Sequence, residues 1–218
     1  MLAHDPMGKL TAHLQGLPEP GSVRRVFLTG ANPFALSFGR LRQIAELIAH
    51  YLPACETIGC FARVTDVARK TDGELEALRG LGYAGLSIGV ETGDGPSLEF
   101  MDKGYGPGDI VEQSRRLDRA GIAYHFMYLA GLPGAGRGVE GAVNSAEIFN
   151  RTHPRIIGSS MLTVFPESRL HEEMRRGTWT EESEIEKLEE IRTLVKRLEI
   201  PVWFATLGAS NAVWVQGE

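Results

Sequence analysis

One carboxylate, Glu91, closes the most regular strand-like stretch of the sequence. Leu86, Ile88 and Val90 alternate with small residues before it, which predicts a parallel strand buried on both faces. A carboxylate can accept hydrogen bonds from two hydroxyl groups at once, or it can act as a general acid or base. A lysine further along, Lys103, adds a cation that can pair with an anion.

Other polar or glycine-rich segments also follow apolar runs. Because the carboxyl ends of parallel strands in a barrel meet at one mouth, we expect these segments to surround one site together with Glu91. They are Gly30-Ala31-Asn32, Arg63, Gly131-Leu132-Pro133 and Thr163.

The elements that must position these residues alternate between strand and helix about six times along the chain. The strands are predicted at residues 23–29, 57–64, 84–90, 122–129, 155–164 and 200–205, and the most strongly patterned helices at 38–51, 109–120, 140–150 and 181–198. In the last helix, Ile185, Leu188, Ile191, Leu194, Val195 and Leu198 form one apolar stripe, which predicts a core-facing side.

This alternation predicts an α/β fold. We favour a partial (β/α) TIM-like barrel of parallel strands, with about six βα units in a single domain over residues 1–218. An open doubly wound sheet is the competing architecture. The glycines after the first strand do not form G-x-G-x-x-G, so the sequence gives little support to a dinucleotide-binding fold.

Composition excludes several classes of function. The chain has 218 residues and a net charge of −5, which gives no general basic signature for nucleic acid. It has no apolar run of transmembrane length and no signal peptide, so a cytoplasmic location and no membrane partner are expected. Two cysteines, Cys55 and Cys60, form no disulfide framework, and the six histidines show no metal-binding spacing.

Four segments, in this order, resemble motifs of one enzyme family. Gly-Val-Glu-Thr-Gly-Asp with Met-Asp-Lys-Gly (89–104) looks like the "G-V-E-S-G…M-x-K-G" stretch of radical S-adenosylmethionine (SAM) enzymes. The similarity covers about residues 20–205 and is nearest to the oxygen-independent coproporphyrinogen oxidase and methylthiotransferase branch. The other three are Phe-Leu-Thr-Gly-Ala-Asn-Pro (27–33), Met-Tyr-Leu-Ala-Gly-Leu-Pro-Gly (127–134) and Leu-Thr-Val-Phe-Pro-Glu-Ser-Arg-Leu (162–170).

The resemblance implies that SAM binds at the carboxyl ends of the strands. Gly30 and Ala31 match a glycine motif that contacts the SAM amino group, although Thr29 and Ala31 depart from the family's glycine pair. Glu91 matches the polar residue that hydrogen-bonds the ribose hydroxyls. The remaining matches are Arg63, a polar group that helps to hold SAM, Lys103, which meets the SAM carboxylate, and Met127 and Thr163, which line the adenine.

The family also uses a 4Fe–4S cluster held by three cysteines in C-x-x-x-C-x-x-C. Nothing in this sequence matches that motif, and Cys55 and Cys60 are too few to supply three ligands. We therefore expect a chain that lacks the first strand and cluster loop, or a natural relative without a cluster, and in either case no cluster-dependent activity from this chain alone. In a truncated barrel, the exposed edge beside residues 23–29 would favour self-association.

Each candidate residue also has an ordinary structural interpretation. Gly30 could serve only a tight turn, Arg63 could pair with Asp66, Glu91 could cap the following helix, and Lys103 could complement a helix dipole. Two other functions stay open: a cluster-less barrel that binds a nucleotide-like ligand or a partner, and a lyase or aldolase that uses Glu91 or Lys103. The small-molecule substrate is not identified, and nucleic acid is not an expected partner.

Overall fold

The computed structural model describes residues 6–30 and 32–206. Within that part of the chain, six parallel strands follow one another across a single open sheet in sequence order. They are β1 (Arg25–Leu28), β2 (Thr57–Arg63), β3 (Tyr83–Glu91), β4 (Ala123–Ala130), β5 (Ile156–Met161) and β6 (Trp203–Thr206). The α/β class and the partial-barrel arrangement are thus confirmed.

Helix α1 precedes β1, and the other helices occupy the connections between the strands, as parallel pairing requires. They are α1 (Pro6–Gln15), α2 (Phe38–Tyr51), α3 (Val64–Ala68), α4 (Asp72–Gly80), α5 (Gly95–Phe100), α6 (Pro107–Ala120), α7 (Gly138–Phe149), α8 (Arg169–Arg176) and α9 (Glu184–Arg197). Side chains that the sequence marks as caps start several of them. Thr71 and Glu74 form a capping box on α4, and Asp94 accepts a hydrogen bond from the Ser97 N–H at the start of α5.

The described residues form two compact units, and the division falls within β3. The first unit runs to Ser87 and also contains Leu117–Ala123, whereas the second contains Ile88–Arg116 and the chain from Tyr124 onward. In the first unit, Leu41, Ile44 and Ile48 of α2 are buried, and the Tyr83 hydroxyl donates to the Leu41 carbonyl at 2.9 Å.

The core of the second unit lies between β4 and α7. Alternate β4 residues, among them Tyr124, Phe126 and Tyr128, are fully buried, and Phe126 lies 5.2 Å from the Phe149 ring of α7. The residues between them on β4 are only half-buried. Strand β3 alternates in the same way along its second half, so the prediction that it is buried equally on both faces is wrong. One face of each strand stays partly accessible, and Glu91 ends that face on β3.

The predicted orientation of the last helix is also wrong in part. Ile191 and Leu194 of α9 are buried as expected, but Ile185 is 74 % exposed. Leu188 and Val195 are exposed as well, and the buried side of α9 carries Lys187 and Glu190. Both charged side chains have polar partners, described below. Because these partners offset the cost of burying a charge, Lys187 and Glu190 lie inside although the apolar pattern predicts them outside.

Candidate functional site

Glu91 occupies a strained backbone turn at the end of β3. Its φ is +59°, which a residue with a side chain rarely adopts, and the Thr92 N–H donates to the Val90 carbonyl at 2.6 Å across it. A three-residue turn of this kind costs free energy, and it persists only where surrounding contacts fix it. The Glu91 side chain lies over Gly89, where an added Cβ would stand 3.1 Å from its Oε1 atom.

The connection between α5 and α6 holds this turn from one side. Lys103 Nζ lies 3.8 Å from Glu91 Oε1, and the Tyr105 hydroxyl donates towards the Val90 and Gly89 carbonyls at 3.0 and 3.2 Å. Of the predicted site residues, the structure therefore brings Glu91 and Lys103 together. Sequence reasoning missed Tyr105, although its position directly after Lys-Gly placed it beside a residue already singled out.

Helix α7 holds the same turn from the other side. The Ser145 hydroxyl accepts from the Gly93 N–H at 2.8 Å and hydrogen-bonds the Thr92 hydroxyl at 3.0 Å. The fully buried Asp94 accepts from Ser97 and from the Asn144 amide, the latter at 2.7 Å. Since Asp94 is the helix cap, the interpretation of Glu91 as the α5 cap is wrong, and its half-exposed carboxylate remains available to a ligand.

In the first unit, a buried acid anchors the segment that follows β1. Asp66 Oδ2 accepts from the Asn32 amide at 2.6 Å and from the Arg63 N–H at 2.8 Å. The amide oxygen of Asn32, Oδ1, is buried and has no hydrogen-bond partner within residues 6–30 and 32–206. Such an atom is a candidate contact for a bound donor group. Sequence reasoning missed Asn32 and Asp66 as a pair, because they are distant in the chain.

Two other predicted site residues of this unit are Gly30, just after β1, and Arg63, at the end of β2. Gly30 follows β1 with a φ of +102°, and a Cβ added there would meet nothing within 4 Å, so its conformation, not close packing, requires glycine. Arg63 ends β2 with an exposed side chain, and Arg69 Nη1 lies 3.9 Å from Asp66 Oδ1. The predicted contact of Ala31 lies outside the described residues.

Met127 and Thr163 belong to the second unit. Met127 lies on the half-buried face of β4, opposite Gly158 of β5. Thr163 is exposed just beyond the end of β5, next to Leu162, whose carbonyl accepts from Lys187 Nζ at 3.1 Å. Their predicted contact with adenine stays a prediction.

A buried carboxyl pair supports the loop after β4. Glu190 accepts from the Tyr128 hydroxyl, and its Oε2 accepts from the Gly131 N–H at 2.6 Å. Burial and, second to it, the neighbouring Glu182 raise the pKa of Glu190 to about 8. Burial likewise raises the pKa of Glu182 to about 7, and neither Glu182 oxygen accepts a hydrogen bond from a donor group among the described residues. Sequence reasoning missed this pair because it read the helix as an apolar stripe with a charged outer side.

The cysteines do not fit an iron–sulfur cluster. Cys60 is buried within β2, and burial raises the pKa of its thiol to about 12, which disfavours the thiolate that a metal requires. Cys55 lies before that strand and donates to the Thr57 carbonyl at 3.5 Å. Among the described residues, no three His, Cys, Asp or Glu side chains are grouped to hold a metal ion.

Comparison with known proteins identifies the fold. No family profile and no curated protein matches the chain, but solved structures do. One is Elp3 of Methanocaldococcus infernus with an N-terminal deletion, with a TM-score of 0.68 and 17 % identity over 93 % of this chain. Another is coproporphyrinogen III oxidase of Escherichia coli, described as a radical SAM enzyme, with a TM-score of 0.65 and 14 % identity over 80 % of this chain.

A third similar structure is the radical SAM methyltransferase TsrM of Kitasatospora setae, with cobalamin and a [4Fe-4S] cluster bound. Its TM-score is 0.57, and its identity is 19 % over 78 % of this chain. The chain spans 52 % of the Elp3 structure, 39 % of the oxidase and 32 % of TsrM. The radical SAM resemblance of the sequence therefore extends to the fold. No described helix is long and apolar enough to cross a membrane.

Proposed function

We propose that this chain is the barrel portion of a radical SAM enzyme and that it binds the adenosine part of SAM through Glu91. The strained turn at Glu91 is the observation that carries the proposal, because contacts from two sides fix a costly conformation at the end of a strand. A carboxylate placed there can accept from both hydroxyls of a ribose. Gly89 leaves the space next to it free of a side chain.

The remaining residues would hold other parts of the ligand. Lys103, which pairs with Glu91, would meet the carboxylate of SAM as the resemblance implies, and Met127 would offer an apolar side chain to adenine. The contacts of Gly30, Ala31 and Arg63 with SAM, which the family resemblance implies, stay part of the proposal. A cytoplasmic location and a small-molecule substrate complete the proposal.

Bound to a cluster, SAM supplies a radical that abstracts hydrogen in this family. The residues of this chain would orient SAM and exclude water, but they do not include thiolates for a cluster. The chain alone should therefore bind the nucleoside without cleaving SAM. The other two candidate functions stay predictions. One is a cluster-less binding protein, and the other is a lyase or aldolase that uses Glu91 or Lys103, which are paired in the structure.

The test uses 5′-methylthioadenosine, which carries adenosine without the amino acid, so its binding does not require a cluster. Glu91→Ala should weaken calorimetric affinity about tenfold or more, because a charge-assisted contact to the hydroxyls is lost. Glu112→Ala, which removes an exposed carboxylate of α6, is the matched control and should bind like the wild type. Equal affinity of the wild type and Glu91→Ala would refute the assigned role of Glu91.

A second ligand separates ribose recognition from general destabilisation. The 2′,3′-dideoxy counterpart of methylthioadenosine lacks both hydroxyls, so it should bind the wild type and Glu91→Ala equally. If the variant loses affinity for both ligands by the same factor, Glu91 does not recognise the ribose.

A further inference from the structure

Tyr105 makes an unusual contact, because its side chain closes the end of β3 with hydrogen bonds to two consecutive backbone carbonyls. The half-buried hydroxyl lies 3.0 Å from the Val90 oxygen and 3.2 Å from the Gly89 oxygen. Val90 is the residue whose carbonyl also receives the Thr92 N–H across the strained turn. The hydroxyl therefore acts on the turn itself, not on the Glu91 side chain.

This contact explains how a residue with a side chain keeps a φ of +59° at Glu91. With the hydroxyl present, rotation of the peptide groups at Val90 and Gly89 would break these hydrogen bonds. Without it, the peptide groups could rotate and relieve the strain at no such cost. Rotation of these peptides would turn the Glu91 carboxylate away from its place over Gly89. The hydroxyl of Tyr105 thus selects one orientation of the acid.

The same short connection controls the charge of the site. Lys103, two residues before Tyr105, places its Nζ 3.8 Å from Glu91 Oε1. Gly104 between them has a φ of +74°, which lets the chain turn so that both side chains reach the end of β3. One segment therefore fixes the backbone of Glu91 and supplies its counter-ion.

We propose that Tyr105 is a positioning residue, which fixes Glu91 for recognition of the vicinal hydroxyls of a nucleoside. The inference rests on the proposed function and deepens it, because it states which group makes that recognition geometrically selective. Tyr105 itself has no contact with the ligand in this proposal. Its effect on binding passes entirely through Glu91.

Tyr105→Phe tests this, because it removes the hydroxyl and keeps the ring. Affinity for methylthioadenosine should fall about three- to tenfold, as expected for one lost hydrogen bond, while affinity for the dideoxy counterpart stays unchanged. In a Glu91→Ala background, the same change should have no further effect. Tyr51→Phe, which removes a hydroxyl from α2 that accepts from Gln15, is the matched control and should bind both ligands like the wild type.

Amide hydrogen exchange of the ligand-free protein provides a separate readout. Tyr105→Phe should accelerate exchange at the Thr92 amide, which closes the turn, and Tyr51→Phe should not. Unchanged exchange there, or unchanged affinity for methylthioadenosine in a protein whose wild type binds it, would overturn the inference alone. An equal loss for both ligands, or an equal loss in the wild-type and Glu91→Ala backgrounds, would show a merely structural role and overturn it too. Absence of methylthioadenosine binding by the wild type would overturn the proposed function together with this inference.

Discussion

Two loops of the second unit each depend on a buried carboxylate, and the two carboxylates are satisfied in different ways. After β3, Asp94 receives hydrogen bonds from Ser97 and Asn144, with Arg137 3.6 Å away. After β4, Glu190 receives two hydrogen bonds but lies beside Glu182, a second buried acid. Hydrogen-bond donors and a cation stabilise the carboxylate of Asp94, whereas Glu190 must hold a proton to coexist with Glu182.

Because of this difference, we expect the end of β3 to control ligand recognition and the end of β4 to control the pH dependence of stability. The loop after β3 carries the proposed ligand contact, and its supports at Ser145 and Tyr105 are hydroxyl groups. The loop after β4 is tied to α9 through groups that titrate near neutral pH. Stability of the fold should therefore depend on pH through the β4 loop, and ligand recognition should depend on the hydroxyl contacts of the β3 loop.

Removal of Glu190 should have the largest effect. Glu190→Ala leaves the Tyr128 hydroxyl and the Gly131 N–H buried without an acceptor, and it opens a cavity. The free energy of unfolding at pH 6 should fall by about 3–5 kcal/mol in denaturant titration. Glu190→Gln retains a carbonyl acceptor and should lose clearly less. Equal losses in the two variants would contradict the assignment of the effect to the unsatisfied donors.

A substitution at the β3 loop should have an intermediate effect, because it acts through packing. In Gly93→Ala, the new Cβ would lie 2.7 Å from the Ser145 Cα, a backbone atom of α7. We expect a loss of about 1–3 kcal/mol in unfolding free energy from this overpacking. The control is Gly108→Ala in α6, where a Cβ meets nothing within 4 Å and should stabilise the helix slightly. If Gly93→Ala were as stable as the wild type, the close approach of the loop to α7 would be wrong.

The fold followed from the sequence because strand and helix signals repeat along the whole chain. Helix α2 was predicted with its observed bounds, and the observed β3 closes on Glu91 as expected. Alternation of apolar residues marks a strand directly, and capping residues such as Thr71 mark a helix start directly. Both signals are local, so they do not require knowledge of tertiary contacts.

The candidate site was only half predictable for the opposite reason. Glu91 and Lys103 carry charges at marked positions, but the supports that make Glu91 a candidate ligand contact come from distant segments, Tyr105 and Ser145. A hydroxyl that donates to a backbone carbonyl leaves no pattern in a sequence. The prediction of the buried side of α9 was wrong for a similar reason, because Lys187 and Glu190 have their polar partners on other elements.

The carboxyl pair gives the smallest and most specific prediction. The folded pKa values of Glu182 and Glu190, about 7 and about 8, lie above the ordinary value of 4.5, so the folded protein binds more protons than the unfolded chain between pH 4.5 and 8. The stabilisation is therefore complete below about pH 4.5 and is lost as pH rises through 8, at up to about 1.4 kcal/mol per pH unit for each proton.

Glu182→Gln removes one charge, so the decline in unfolding free energy between pH 6 and 9 should shrink by about 1 kcal/mol or more. Glu189→Gln, which changes a half-exposed carboxylate on the same helix that pairs with Arg192, should keep the wild-type profile. Parallel profiles for the wild type and Glu182→Gln would show that Glu182 does not keep its proton in the folded protein above the ordinary pKa, and the contrast between the two loops would then be lost.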